Sequence, residues 1–461
     1  MKTKLLLPII ISLLAAFVSC SGVKNLTPAD IDMPTSYMPG LEQDSTSIAD
    51  LTWWEFYADS TLCRLMRLAL DNNRDLLKAG ARIEEMRRLY DIDKANFFPE
   101  IGGLAGATYE TNNYSGTGTK KDPEYSLKMP ITWEMNLWGS LSWAKKKGAA
   151  QWMASVEDFR AMRMTLISEV AYAYFRLIAL DNELAIVRQT MTTRKESLEQ
   201  ARIRFEGGLT SETVYQQAKV EYSSAASLVP SLEQRITVQR NALTLLLGEY
   251  PREIIERGEL ALNIEMPDSL PVGIPSSLLK RRPDLRAAEN RLASAMADVG
   301  LTYADRFPKI RLGFTPGFEN DELSDFFKSP FTYTLGNITG SIFDFGRKKR
   351  KYQASIAAYD QARYAYEKAV IQAFTEVNTA IDTYRHIRQT RRLKDELRDA
   401  AVKYVQLAHL QYRGGTLNYI DVLDAQRRYF DAQIGVSNAL RDEYLALINL
   451  YKSLGGGWET E

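Results

Sequence analysis

From Tyr125 to Leu137 every odd position is apolar (Tyr125, Leu127, Met129, Ile131, Trp133, Met135 and Leu137). The even positions are Ser126, Lys128, Pro130, Thr132, Glu134 and Asn136. Alternation with a period of two marks an extended strand with one apolar and one polar face. The run exceeds the five or six residues of a typical soluble strand and suits the roughly 9 to 11 residues of a membrane-barrel strand. The pattern recurs later: Ile310, Leu312, Phe314 and Phe318 alternate with Arg311, Gly313, Thr315 and Gly317. Phe331, Tyr333 and Leu335 then open a return strand whose phase slips near Gly336 and Asn337, as at a bulge. The polar stretches Asn112 to Pro123 and Glu319 to Pro330 predict the connecting loops. On pattern alone, hairpins of a soluble sandwich remain an alternative. Four strands cannot close a barrel, for which about eight are needed, so spanning strands require an oligomer: eight strands from two chains, twelve from three.

Elsewhere the period is helical. No proline interrupts the stretch from about Ser140 to Phe205, where Leu166, Val170, Ala173, Leu177, Leu180, Leu184, Val187 and Met191 recur at alternating steps of four and three. Leu198, Ala201 and Phe205 resume the rhythm after Arg194. A mean period near 3.5 is a coiled-coil seam, and a helix of this length extends roughly 100 Å. A second long helix is predicted over about 347–412, with Leu393, Leu397, Ala400, Tyr404 and Leu407 in the same rhythm. Shorter return helices follow over about 211–247 and 418–454, the first with a kink expected at Pro230. Such helices suit a structural rod or the wall of a tube. Coupling to amphipathic strands at Trp138-Gly139 and Phe345-Gly346 favours the tube.

The two halves are copies. Gln200 to Tyr222 matches Gln406 to Tyr429, with Phe205, Gly207, Gly208 and Ala218 answering Tyr412, Gly414, Gly415 and Ala425 at a shift of 207 residues, 414 minus 207. The Gly-Gly pairs predict left-handed caps at two helix-turn-helix tips. Asn73-Arg74-Asp75-Leu76 answers Arg282-Pro283-Asp284-Leu285, Phe98-Pro99 answers Phe307-Pro308, and Leu247-Gly248 answers Leu454-Gly455. The predicted organisation is therefore a leader (1–19), an extended arm (20–52), a first repeat (53–248) with a hairpin at about 101–138, and a second repeat (249–461). The second repeat opens with a segment at 249–303 and has a hairpin at about 309–345. The fold class is mixed, mainly α.

Lysine plus arginine equals aspartate plus glutamate at 58 each. Removing Lys2 and Lys4 with a leader leaves 56 against 58, which gives no basic footprint for nucleic acid. His386 and His409 stand alone and Cys20 and Cys63 lie far apart, so no metal, haem or cluster site is expected. No enzymatic constellation is present, and Gly116 to Lys120 lacks the context of a phosphate loop. Lys2 and Lys4 precede an apolar run from Leu5 to Phe17 and then Cys20, a short export signal ending as bacterial lipoprotein leaders do. Cys20 is the expected lipid-bearing residue, the covalent lipid standing where a cofactor would; ordinary cleavage nearby is the alternative. The basic runs Lys145 to Lys147 and Arg347 to Lys351 suit solvated faces or contact with lipid phosphates.

The string PVGIPSSLLKRRPDLRAAENRLASAMADVGLTYADRFPKI at 271–310, WWEFYADSTLCRLMRLALDNNRDL at 53–76 and WEMNLWG at 133–139 resemble motifs of the TolC-like outer membrane factors, in their efflux lipoprotein branch. The resemblance covers essentially the mature chain. It implies a homotrimer in outer membrane lipid, with a twelve-stranded barrel continued by a periplasmic helical tunnel. It also implies a periplasmic adaptor and an inner-membrane transporter of the proton-driven RND type, with small toxic compounds as cargo; protein or peptide secretion is the related alternative. By the same resemblance the duplicated turns form a periplasmic gate, with Tyr412, Asp421 and Asp424 restraining it and the acids raising one another's pKa. The family's locking arginine falls on Leu417 and its acidic partner on Val214, so Arg413, Glu206 or Glu212 is the expected replacement.

Overall fold

In the computed structural model the described residues are 26–38, 46–57, 59–114, 118–251, 256–258 and 271–459. The leader and Cys20 lie outside them. The main elements are α1 (Ser60–Asn72), α2 (Arg74–Ala95), β1 (Glu100–Ile101), β2 (Leu104–Tyr114), β3 (Gly118–Lys128), β4 (Ile131–Met135), α3 (Ser140–Glu206) and α4 (Glu212–Leu246). The second copy adds α5 (Pro283–Ala304), β5 (Lys309–Asn320), β6 (Pro330–Thr339), α6 (Arg347–Arg413) and α7 (Tyr419–Ser453). Corresponding helices have equal lengths: 22 residues in α2 and α5, 67 in α3 and α6, and 35 in α4 and α7.

Local chemistry sets the boundaries. Asp59 accepts hydrogen bonds from the Thr61 and Leu62 amides and starts α1. Asn73 ends α1 and caps α2, its Oδ1 accepting from the Asp75 and Leu76 amides at 3.0 Å. In the second copy Pro283 takes the first helical position of α5, where a missing N–H costs nothing. Gly139 and Gly346 adopt positive φ (77° and 80°) at the strand-to-helix junctions, as do Gly248 and Gly455 (72° and 89°) after the return helices.

The chain divides into two compact units. One holds the sheet, with residues 82–156 and 287–368 and the arm up to Ile31; the other holds 32–81, 157–286 and 369–461. In the first, the Thr27 carbonyl of the arm accepts from the Tyr359 hydroxyl at 2.9 Å. In the second, Trp53, Leu62, Met66, Tyr174, Leu177 and Leu243 are fully buried, each contributing about 1.5–3 kcal/mol or more by removal from water. Phe56 stacks on Tyr451 at 4.0 Å and Phe175 on Tyr444 at 4.3 Å. Buried Arg282 is satisfied by Asp284, Glu376 and the Ser453 carbonyl.

The sheet is a four-stranded antiparallel meander. The pairings Glu100↔Thr132 and Leu104↔Lys128 share one register, so β1 and β2 are one strand interrupted at Gly102-Gly103. Tyr125↔Asn320 and Ile131↔Phe314 likewise make β3 and β4 one strand, interrupted where Pro130 lacks an amide donor. β6 pairs with β5 alone and β2 with β3 alone, which leaves two open edges among the described residues.

Three sequence expectations change. The predicted loop at 112–123 is mostly strand, because β2 and β3 stay paired up to Tyr114↔Gly118 and ladder hydrogen bonds do not require apolar side chains. The 319–330 loop contains a 3-10 turn, Leu323–Lys328, that buries Phe326. No bulge interrupts β6, whose register with β5 is constant from Lys309↔Thr339 to Phe318↔Pro330. Consequently Phe331, Tyr333 and Leu335 share the face of Gly317, Thr315 and Gly313, which is the polar face of the sheet. The phase slip records a change of face. Pro230 lies within α4, as expected.

Candidate functional site

On the sheet, one face is apolar and exposed and the other carries the charges. The apolar positions Leu127, Met129, Trp133, Met135, Leu312 and Phe314 are all exposed. On the opposite face the Glu134 side chain is only 15% exposed, held by Lys309 at 3.0 Å and Arg311 at 3.1 Å. Lys128 pairs with Glu319 at 2.7 Å and lies over the Phe331 ring. Gly317 makes room for that ring, since a Cβ there would come within 2.9 Å of it. Apolar outside and charged inside is the polarity of a sheet facing lipid on one side and an aqueous lumen on the other. Closure demands strands from elsewhere for both open edges.

At the other functional element, two turns are built alike. The Gly207 amide donates to Ile203, Gly208 to Phe205 and Leu209 to Arg204; in the second copy Gly414 donates to Leu410, Gly415 to Tyr412 and Thr416 to Gln411. Gly208 and Gly415 both have φ of 73°, the left-handed cap in which a side chain would be strained. Gly207 and Gly414 precede it without positive φ. Asn418 begins α7 as a capping box with Asp421, whose carboxylate accepts from the Asn418 amide at 3.3 Å.

The two turns differ in their side chains. In the first, Phe205 stacks on Tyr215 at 5.8 Å with nearly parallel rings. In the second, Tyr412 lies 5.3 Å from Tyr419, and both pack against the buried cluster Ala408, Val422 and Ala425 together with Leu417. The Tyr412 hydroxyl accepts a 2.7 Å hydrogen bond from Arg204, whose guanidinium also approaches the ring face at 5.8 Å. Burial holds the Tyr419 phenol above its ordinary pKa, so it stays neutral.

Leu417, where the resemblance would set an arginine, thus belongs to an apolar cluster, and a cation-to-tyrosine bond joins the two copies beside it. Within the protomer none of the three expected substitutes makes that bond. Glu206 pairs with Arg202, Glu212 accepts from Gln216, and Arg413 has no ion pair among the described residues. Arg204 was hidden from sequence reasoning because its counterpart in the second copy is Gln411, so the repeat comparison gave no signal.

The two aspartates do not act as one pair within the protomer. Asp421 is spent on the helix cap, whereas Asp424 is held by Arg427 at 2.5 Å and Arg428 at 2.7 Å. Within the protomer those arginines push the Asp424 carboxyl below the usual aspartate range. The i+3 and i+4 spacing of the arginines could have revealed this. Further along, Arg194, only 7% exposed in its side chain, bonds the Glu221 carboxylate at 3.1 Å and lies over Phe430, tying α3 to α4 and α7. Desolvation lowers its pKa while Glu221 opposes that shift.

With this geometry in hand, similarity can be assigned. The family model described as outer membrane efflux protein matches residues 65–249 and 274–456. The solvent efflux pump outer membrane protein SrpC of Pseudomonas putida is 31% identical over 441 residues, covering 94% of this chain and 93% of its own. The probable outer membrane lipoprotein SilC of Salmonella typhimurium is 29% identical over 99% of both chains. Among solved structures, the outer-membrane channel OprN superposes with a TM-score of 0.85 at 28% identity, covering 95% of this chain and 98% of its own.

Proposed function

The chain belongs to the outer membrane efflux protein family, and from that premise we propose that it is the passive exit duct of a tripartite pump. It takes small toxic compounds from an inner-membrane transporter of the RND type and a periplasmic adaptor. Three copies close the barrel, lipid on Cys20 anchors the mature chain, and the duplicated turns form the entrance. Arg204 and Tyr412 hold that entrance shut, with Asp421 and Asp424 carrying acid toward it.

The observation that carries the reading is the open-edged, four-stranded sheet whose apolar face is exposed and whose strands run on into 67-residue helices. A sheet with unpaired edges and an apolar outer face is stable in lipid only when further strands complete it. Relatives named as solvent and toluene efflux proteins support small apolar compounds as the cargo class.

The test is planar-bilayer conductance of the detergent-purified protein, with its oligomer mass taken in parallel. A trimer with small, cation-selective conductance is the expected result. A folded protein that stays monomeric and silent would leave only a lipid-anchored structural rod.

A further inference from the structure

Where the strands give way to the long helices, the surface carries apolar and cationic groups that the duct does not use. Met135, Ile310 and Ile338 form one row across the sheet, so the chain leaves β4 and β6 at the same end. Beyond β6 follows the apolar, exposed segment Ile342 to Phe345. Ile338 is 73% exposed, Ile342 fully exposed, Phe343 75% and Phe345 84%. Phe343 and Phe345 touch edge to face at 4.6 Å, and Phe345 is held at a φ of +53°, a conformation a bulky residue rarely adopts.

Directly after this segment come Arg347, Lys348, Lys349, Arg350 and Lys351. Lys351 is paired with Asp305, but the other four have no carboxylate partner among the described residues. Asp344, the acid within this segment, accepts from the backbone amides of Gly346 and Lys348. These cations occupy the first turn of α6, where the helix dipole disfavours positive charge, so helix stability does not account for them. At the start of α3, at the same end of the sheet, Lys145 and Lys146 lie over the rings of Phe97 and Trp143 and also lack a carboxylate.

We propose that this junction is a binding surface for anionic phospholipid in the leaflet beside the helices. The chains of the lipid cover Ile342, Phe343 and Phe345, and its phosphate meets the cations Lys348, Lys349 and Arg350. Exposed apolar residues followed directly along the chain by unpaired positive charges match acyl chains beside anionic headgroups, a sequence of contacts that a zwitterionic lipid satisfies less well. The proposal rests on the sheet lying in the outer membrane, so conductance is measured on the same sample to separate a failed duct from a failed lipid surface.

Native mass spectrometry of the detergent-purified oligomer, offered equal amounts of phosphatidylglycerol and phosphatidylcholine with matched chains, reads the selectivity. The wild type is expected to retain phosphatidylglycerol preferentially. The variant Lys348→Gln/Lys349→Gln/Arg350→Gln should lose roughly fivefold in that preference per cation removed, while Lys348→Arg/Lys349→Arg keeps it and conductance is unchanged in both. Phe343→Ser should reduce retention of both lipids alike. Equal retention of the two lipids by the wild type, or a preference that survives in the triple variant, overturns the proposal. So does its elimination by millimolar inorganic phosphate, which would mark a site for free phosphate.

Discussion

Two stretches of the long helices, 166–187 in α3 and 393–407 in α6, carry the same heptad signal and use it differently. In α3 the seam is core: Val170 and Leu177 are fully buried, with Leu166, Ala173 and Val187 beside them. In α6 the stripe of Leu393, Leu397, Tyr404 and Leu407 is exposed at 40–57%. The buried face of α6 is instead Val370, Ala373, Val377, Ile381 and Tyr384, continued by the small residues Ala401 and Ala408. A hydrophobic period states that a face needs cover, but not which chain supplies it. At 166–187 the cover comes from within the protomer; the large residues at 393–407 are uncovered within it.

That contrast can be broken by paired substitutions. Leu177→Ala in the α3 seam should cost about 2–5 kcal/mol of stability, read as a fall in the denaturation midpoint. Leu397→Ala should stay within about 0.5 kcal/mol in an isolated protomer. Leu393→Asp with Leu397→Asp should instead lower the assembled mass, and an intact assembly would show that the stripe faces solvent only.

A smaller effect sharpens the comparison at the tips. Arg204 in the first copy bonds Tyr412 in the second, and both are partly open to water. Removing either group should therefore cost only about 1 kcal/mol, roughly a fivefold rise in open probability. Single-channel recordings of Arg204→Gln and Tyr412→Phe should agree, and the double variant should add little to either. Additive effects would mean that the two groups act separately.

The smallest effect concerns pH. The folded-state pKa of Asp424 is lowered by Arg428 and Arg427, so its stabilisation is present above the ordinary aspartate value near 4 and is lost as the pH falls through the lowered value. The pair is largely solvent-facing, which limits it to a few tenths of a kcal/mol. Stability against pH in Asp424→Asn should differ from the wild type only above that window. A larger difference would indicate carboxylates contributed by neighbouring protomers.

Much of the fold was legible because each repeat states its own punctuation. The glycines at 139, 208, 248, 346, 415 and 455 all take positive φ where the paired motifs placed a turn. The long helices, with no interior proline, had nothing to end them sooner. The sheet was legible as alternation in the strand from Tyr125 but not at Asn112 to Pro123, where polar side chains conceal a ladder held by backbone hydrogen bonds. The tip was read in outline only. Tyr412 was placed correctly at the turn, but Arg204 reaches it from 208 positions away, a contact created by packing and invisible to spacing. Asp421 and Asp424 were read as a pair from their separation of three, although local capping and the neighbouring arginines claim each of them separately.

Equal helix lengths in the two copies have a consequence for assembly arithmetic. A trimer of this chain would present six hairpins of matching helix length, three with Phe205 on Tyr215 and three with Tyr412 beside Tyr419. A partner that measures only length would meet six interchangeable seats, whereas one that reads side chains would meet two sets of three. The stoichiometry of such a complex would then rest on a handful of residues at the turns, on a scaffold that by length alone would accept either count.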